Sequence, residues 1–301
     1  MDLARLQSAG LLTRRQTLGY LAWCAAVPFA MRSTATNASV VKRVICIGGA
    51  LTEIVYLLQA DADLVGVDTT SLYPAMAKTL PSVGYARQLS AEGILSLAPS
   101  HLLATEEAGP PAVLKQIAAA GVRMTVLPAH HQYEGLRQRV LGVGKVLERS
   151  EFAQIIVQRL DSQWQQVRQQ LAAQALQRVR PVRVMFVLTH SPVQVLVAGA
   201  STAAQAMLTY AGATNAVRGF KGYKPLTPEA MIAAQPDCLL VTEQGLQAAG
   251  GLEALYKLPG FAQTPAGRSQ AVITMDALRL LGFGPRMPEA VLALNQAFQG
   301  L

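Results

Sequence analysis

The segment Leu89-Ser90-Ala91-Glu92-Gly93-Ile94, followed by Pro99 and Leu102-Leu103-Ala104-Thr105, has a counterpart much later in the chain. There the residues are Leu226-Thr227-Pro228-Glu229-Ala230-Met231, then Pro236 and Leu239-Leu240-Val241-Thr242. Leucine, hydroxyl, glutamate, proline, paired leucines and threonine keep one spacing in both copies. A Gly-Tyr pair stands just upstream of each, Gly84-Tyr85 and Gly222-Tyr223, with one residue fewer in the second. Each copy reads as loop, capped helix, turn and strand, because Ser90 or Thr227 is placed to cap a helix that carries the glutamate in its first turn. A repeat of this kind requires two matching lobes.

Between the copies lies a long helical pattern. From Phe152, apolar residues recur at Ile155, Ile156, Leu160, Trp164, Val167 and Leu171, in steps of three and four. Ser150 is placed to cap this helix and Pro181 to end it. About 28 residues of helix reach roughly 40 Å, the span of a whole domain. On either side, short apolar runs alternate with helical stretches: 44–47, 65–67, 102–104 and 125–127 before it, 182–188 after it. Such alternation implies parallel sheets covered on both faces. The expected organisation is therefore α/β, with two Rossmann-like lobes over 39–148 and 181–301 joined by a single long helix over 149–180.

The first 38 residues stand apart. Arg14-Arg15 precedes a moderately apolar run over 19–30, the pattern of a twin-arginine export signal. That run is about a dozen residues, too short to cross a bilayer. Cys24 resembles a lipid-anchor cysteine, but Trp23 is bulky where a small residue is required, so cleavage near Ala35 or Ala38 and a soluble exported protein are expected. Cleavage at Ala38 removes Arg5, Arg14, Arg15, Arg32 and Asp2 and leaves a net charge of +5. This suits an anionic ligand but is too dispersed for a nucleic-acid stripe. Cys46 and Cys238 fall in apolar strand-like runs and are expected to be free buried thiols.

Catalytic patterns are missing. Gly48-Gly49-Ala50 lacks the third glycine and the lysine of the phosphate-cradling loops. The four histidines (His101, His130, His131, His190) have no zinc-site spacing, and no Gly-x-Ser-x-Gly elbow occurs. A binding protein is expected, not an enzyme. The loop Gly84-Tyr85-Ala86-Arg87 lies where open α/β sheets take their ligands, at the carboxyl ends of the strands. A tyrosine phenolate is a known axial ligand of ferric haem iron, and a cation two residues away favours the phenolate. An ordinary half-buried loop tyrosine fits the same residues.

The run Ile47-Gly48-Gly49-Ala50-Leu51-Thr52-Glu53-Ile54-Val55-Tyr56 resembles the opening of the periplasmic haem-binding proteins of bacterial haem-uptake ABC transporters. Gly66 to Ser71 with Tyr73-Pro74, Val83 to Gly93, and Gly222-Tyr223-Lys224-Pro225-Leu226-Thr227-Pro228-Glu229 are similar to the same family, and the likeness covers about residues 42–300. The resemblance implies a periplasmic binding protein of the helical-backbone class that carries haem as cargo, not as a catalytic cofactor. Tyr85 is then the proximal iron ligand. His190 is a possible second ligand, although relatives continue there with glycines where this chain has Ser191-Pro192-Val193. Arg87, Arg218, Tyr223 and Lys224 are expected to line the cleft, with the cations facing the propionates. Glu92 and Glu229 are expected to dock on the two subunits of the inner-membrane permease, since a two-fold partner needs one charge offered twice. The protein is expected to be monomeric, and a ferric siderophore or a corrinoid is the alternative cargo on the same fold.

Overall fold

The structure, a computed structural model, describes residues 42–176, 180–191 and 194–301, with the backbone alone at 190, 191 and 194. The expected export signal, with Arg14, Arg15 and Cys24, lies outside the described residues.

The first lobe is built on four parallel strands, β1 (Val44–Ile47), β2 (Leu64–Val67), β3 (His101–Thr105) and β4 (Arg123–Leu127), in the order β2-β1-β3-β4. Its helices are α1 (Gly49–Leu57), α2 (Ala91–Leu95), α3 (Pro111–Ala119) and α4 (Tyr133–Val146). The long helix α5 (Ser150–Ala175) follows. The second lobe holds β5 (Arg183–Ser191), β6 (Gln194–Ala198), β7 (Thr214–Asn215), β8 (Tyr223–Pro225), β9 (Cys238–Thr242) and β10 (Val272–Met275). They run in the order β10-β9-β5-β6-β8, with β7 beside β5. Around them lie α6 (Ala203–Tyr210), α7 (Pro228–Ala234), α8 (Glu243–Ala249), α9 (Leu252–Tyr256), α10 (Pro265–Ser269), α11 (Ala277–Leu281) and α12 (Met287–Gln299).

The second sheet departs from the all-parallel expectation. β9 and β10 are parallel to the sheet, but β6 runs antiparallel to β5, and β8 antiparallel to β6. The cause is chain length: two residues separate β5 from β6, and a parallel return needs a crossover of a dozen or more.

Burial follows the strand period of two, with both faces covered. Val44 and Cys46 of β1 join Val184 and Phe186 of β5 in one continuous core that passes through Ile156, Leu160, Trp164 and Val167 of α5. Ile45 and Ile47 face the other way, onto Ile94 of α2. Met185 and Val187 do the same in the second lobe, onto Met231 of α7. The repeated segment thus covers the outer face of each sheet. Its caps form as the residues imply: Ser90 Oγ accepts from the Gly93 N–H at 3.3 Å and Thr227 Oγ1 from the Ala230 N–H at 3.1 Å. Glu92 and Glu229 occupy the first turns of α2 and α7 and are exposed.

Helix α5 has 26 residues and no side-chain cap; Ser150 is its first helical residue, not its cap. Ile155 is 60% exposed, because the stripe through Ile156, Leu160, Trp164 and Val167 already faces the core and a neighbour one residue away points about 100° off it.

A second link joins the lobes. The segment after β10 lies against the first lobe, where Arg286 forms a bidentate pair with Glu53 of α1 at 3.0 and 3.1 Å. Arg139 of α4 donates to the Phe283 carbonyl at 2.6 Å. Behind them the rings of Tyr133, Trp164, Tyr210, Phe283 and His131 follow one another at centroid distances of 5.1, 5.2, 6.4 and 5.3 Å.

Candidate functional site

The cleft is assembled by loops that leave the carboxyl ends of the strands. After β2, the chain returns along its edge: Val67 N–H donates to Pro81 O and Val83 N–H to Val67 O. This leads Gly84, with φ +92, and Tyr85 to the top of the sheet. Gln88 N–H closes a turn on the Tyr85 carbonyl at 2.8 Å. The turn is then pinned to the loop after β3, through Gly109 N–H to Ala86 O and Leu89 N–H to Gly109 O, each 2.9 Å. Two neighbouring loops thereby lie side by side, and Arg87 meets Glu107 at 2.8 Å across them.

The loop after β2 is held by buried Asp68, which accepts from Thr70 Oγ1 at 2.7 Å and Ser71 Oγ at 2.8 Å. Gly49 opens α1 within hydrogen-bonding reach of Thr70, its N–H donating to Thr70 Oγ1 at 2.9 Å. A Cβ at Gly49 would stand 2.2 Å from the Thr70 carbonyl oxygen, so only glycine permits this approach.

Together these loops and the segment after β10 enclose a cavity of about 450 Å³ between the lobes. Leu72, Leu278, Leu281 and Phe283 supply apolar walls, and Tyr85 is at the edge, 43% exposed. This is the size and character of a small-molecule site. Its polar groups are few: Tyr85, Glu107, His131, Arg139, Gln244 and three threonines.

Arg139 is 3% exposed and is held by the Pro128 and Phe283 carbonyls, while its Nε has no partner among the described residues. Burial pulls its pKa down to about 10. His131 is half-buried against the Phe283 ring; desolvation lowers its pKa, with Glu107 opposing, so its imidazole is neutral at neutral pH. Tyr223, on edge strand β8 of the opposite lobe, has its pKa raised first by desolvation, with Arg87 lowering and Glu107 raising it.

The expected site residues separate into groups. Tyr85 lines the cavity, Arg87 stands at its rim paired with Glu107, and Tyr223, on β8 of the other lobe, is not among the lining residues. Lys224 points the other way along β8, its Nζ 4.9 Å from the Phe220 ring centre, and Arg218 is exposed on the preceding loop. Neither is a lining residue. His190 is the penultimate residue of β5, and its side chain lies outside the described residues. Glu107, His131 and Arg139 were not singled out from the sequence: none belongs to a motif, and only the meeting of separate loops brings them together.

Comparison with known proteins places the chain among binding proteins of transporters. A family model described as "Periplasmic binding protein" matches residues 44–278. The chain is 24% identical over 258 residues to the uncharacterized ABC transporter substrate-binding lipoprotein YvrC of Bacillus subtilis, over 85% of this chain and 79% of the relative. Among solved structures it is similar to the periplasmic haem-binding protein BhuT in complex with two haems, with TM-score 0.81 and 49% identity over 86% of this chain and 98% of that one. It is also similar to the apo periplasmic haem-binding protein RhuT from Roseiflexus sp. RS-1, with TM-score 0.81 and 38% identity over 86% and 98%. A periplasmic haem-binding protein from Pseudomonas aeruginosa gives TM-score 0.78 and 38% identity over 85% and 92%.

Proposed function

Since the chain belongs to the periplasmic binding protein family, we propose that it is the substrate-binding component of a haem ABC importer, taking ferric haem into the interlobe cavity and delivering it to the inner-membrane permease. The observation that carries this reading is the tyrosine at the edge of an apolar cavity with a guanidinium two residues on. Phenolate oxygen binds ferric iron, and a guanidinium at the rim suits a ligand that carries carboxylates. Leu72, Leu278, Leu281 and Phe283 are suited to the porphyrin faces. The neutral imidazole of His131 offers a nitrogen donor on the same wall, and His190 remains a second candidate at the end of β5. Arg218 and Lys224 are not part of the proposed contact.

Glu92 and Glu229 fit the docking role because they occupy equivalent first turns, one per lobe, and both are exposed. Export through the Arg14-Arg15 pattern belongs to the same reading. The binding step involves no chemistry on the cargo; release requires the docked state to hold haem less tightly than the free one.

The test is a ligand panel read by quenching of Trp164, which is buried in the aromatic series beneath the cavity. Ferric haem is expected to quench saturably, at one or two equivalents, and to resist competition by ferric siderophores and corrinoids. Saturation by a siderophore or corrinoid but not by haem would overturn the assignment.

A further inference from the structure

Glu107 occupies an unusual position for a site of this charge. It is the only carboxylate among the described residues that line the cavity, in a cleft proposed to take a ligand with two propionates. It does not approach Arg87 by chance, because both loops are fixed to one another by the backbone bonds at Ala86, Leu89 and Gly109. Its charge acts on four groups: it pairs with Arg87, and it bears on Arg139, His131 and Tyr223. Yet the pair is cheap to break. The Arg87 and Glu107 side chains are 59% and 45% exposed, and ion pairs in such surroundings contribute little to stability.

We propose that Glu107 is an exchangeable stand-in for the ligand's own carboxylate: it holds Arg87 at the rim until a haem propionate displaces it, and retakes Arg87 as haem leaves. The proposal rests on the haem reading. It follows from charge arithmetic at one guanidinium: Glu107 uses one Arg87 nitrogen and balances its single positive charge, so a second carboxylate brought to Arg87 is repelled by the first until Glu107 withdraws. A carboxylate left at the rim also repels a propionate, so Glu107 moderates affinity and keeps capture reversible.

The experiment titrates the purified protein and its Glu107→Gln, Arg87→Gln and double variants with ferric protoporphyrin IX and with its dimethyl ester, which has no free carboxylate. Exchange predicts that Glu107→Gln binds ferric haem more tightly, on the order of three- to tenfold, and the ester unchanged. The gain should shrink in the Arg87→Gln background, where only the direct repulsion between Glu107 and the propionate is left to relieve. Weaker haem binding by Glu107→Gln would show that Glu107 only positions Arg87 and would overturn the proposal, as would equal gains for haem and ester. Unchanged haem affinity beside normal binding by the unmodified protein overturns the exchange alone. Failure of the unmodified protein to bind haem overturns the exchange together with the function it rests on.

Discussion

Gly84 adopts φ +92, a backbone conformation that side chains other than glycine rarely take, and this turn aims Tyr85 at the cleft. A Cβ there would meet nothing nearer than the Gln88 carbonyl at 3.9 Å, so alanine would be strained by its backbone and not by a clash. Gly84→Ala is expected to lower stability by about 1 kcal/mol and to weaken haem binding severalfold as the loop relaxes. Gly121, with φ +88 and open space around it, is the matched control: Gly121→Ala should cost similar stability in denaturant unfolding and leave haem affinity alone. Equal haem affinity in both variants would show that Gly84 does not aim Tyr85. At this scale the sequence was legible where a motif is contiguous, as at Gly84-Tyr85-Ala86-Arg87. It was silent where partners are distant: Arg87 is joined to Glu107 only by the fold, and His131 gives no sign in the chain that Phe283 will lie against it.

Secondary-structure elements were legible where spacing carried the information. Ser90 and Thr227 cap α2 and α7, and the apolar faces of both helices cover the sheets as the repeat implies. Antiparallel β6 breaks the strand–helix alternation because only two residues separate it from β5, too few for a parallel crossover. The link between α1 and the start of α12 was equally hidden, since Glu53 and Arg286 are 233 positions apart. Burial raises the Glu53 pKa despite the opposing Arg286, whose guanidinium also lies 3.8 Å from the centre of the Tyr73 ring. Removing the cation strands a buried carboxylate, so Arg286→Ala is expected to cost about 3 kcal/mol at neutral pH. A carboxyl whose folded pKa is raised binds more protons folded than unfolded, so its contribution to stability falls as pH rises through that window. The Arg286→Ala penalty should accordingly shrink as pH falls through the raised range of Glu53 and the acid becomes neutral. Unfolding of the variant and the parent by urea at about pH 7 and about pH 5 checks this; a penalty that grows on acidification would contradict it.

Across the whole molecule, α5 and the Phe283–Arg286 segment tie the two lobes at separate points, and the core runs through α5 without a break. Opening on flexible hinge strands would require that core to divide, so small rotations are expected. Two lobes, their α/β character and the long helix between them were legible in the sequence. The second tie was not, because it depends on the Glu53, Arg139 and Arg286 side chains and the Phe283 carbonyl meeting in space. The central claim is that this cleft captures haem through Tyr85. An absorption titration with ferric haem, run on the protein and on Tyr85→Phe, tests it most directly. The account predicts a saturable Soret band with a phenolate-to-iron charge-transfer feature that Tyr85→Phe abolishes, with affinity reduced and the fold kept, since Tyr85 is 43% exposed. Saturable binding with an identical spectrum in Tyr85→Phe would contradict it and move the iron bond to His131 or His190.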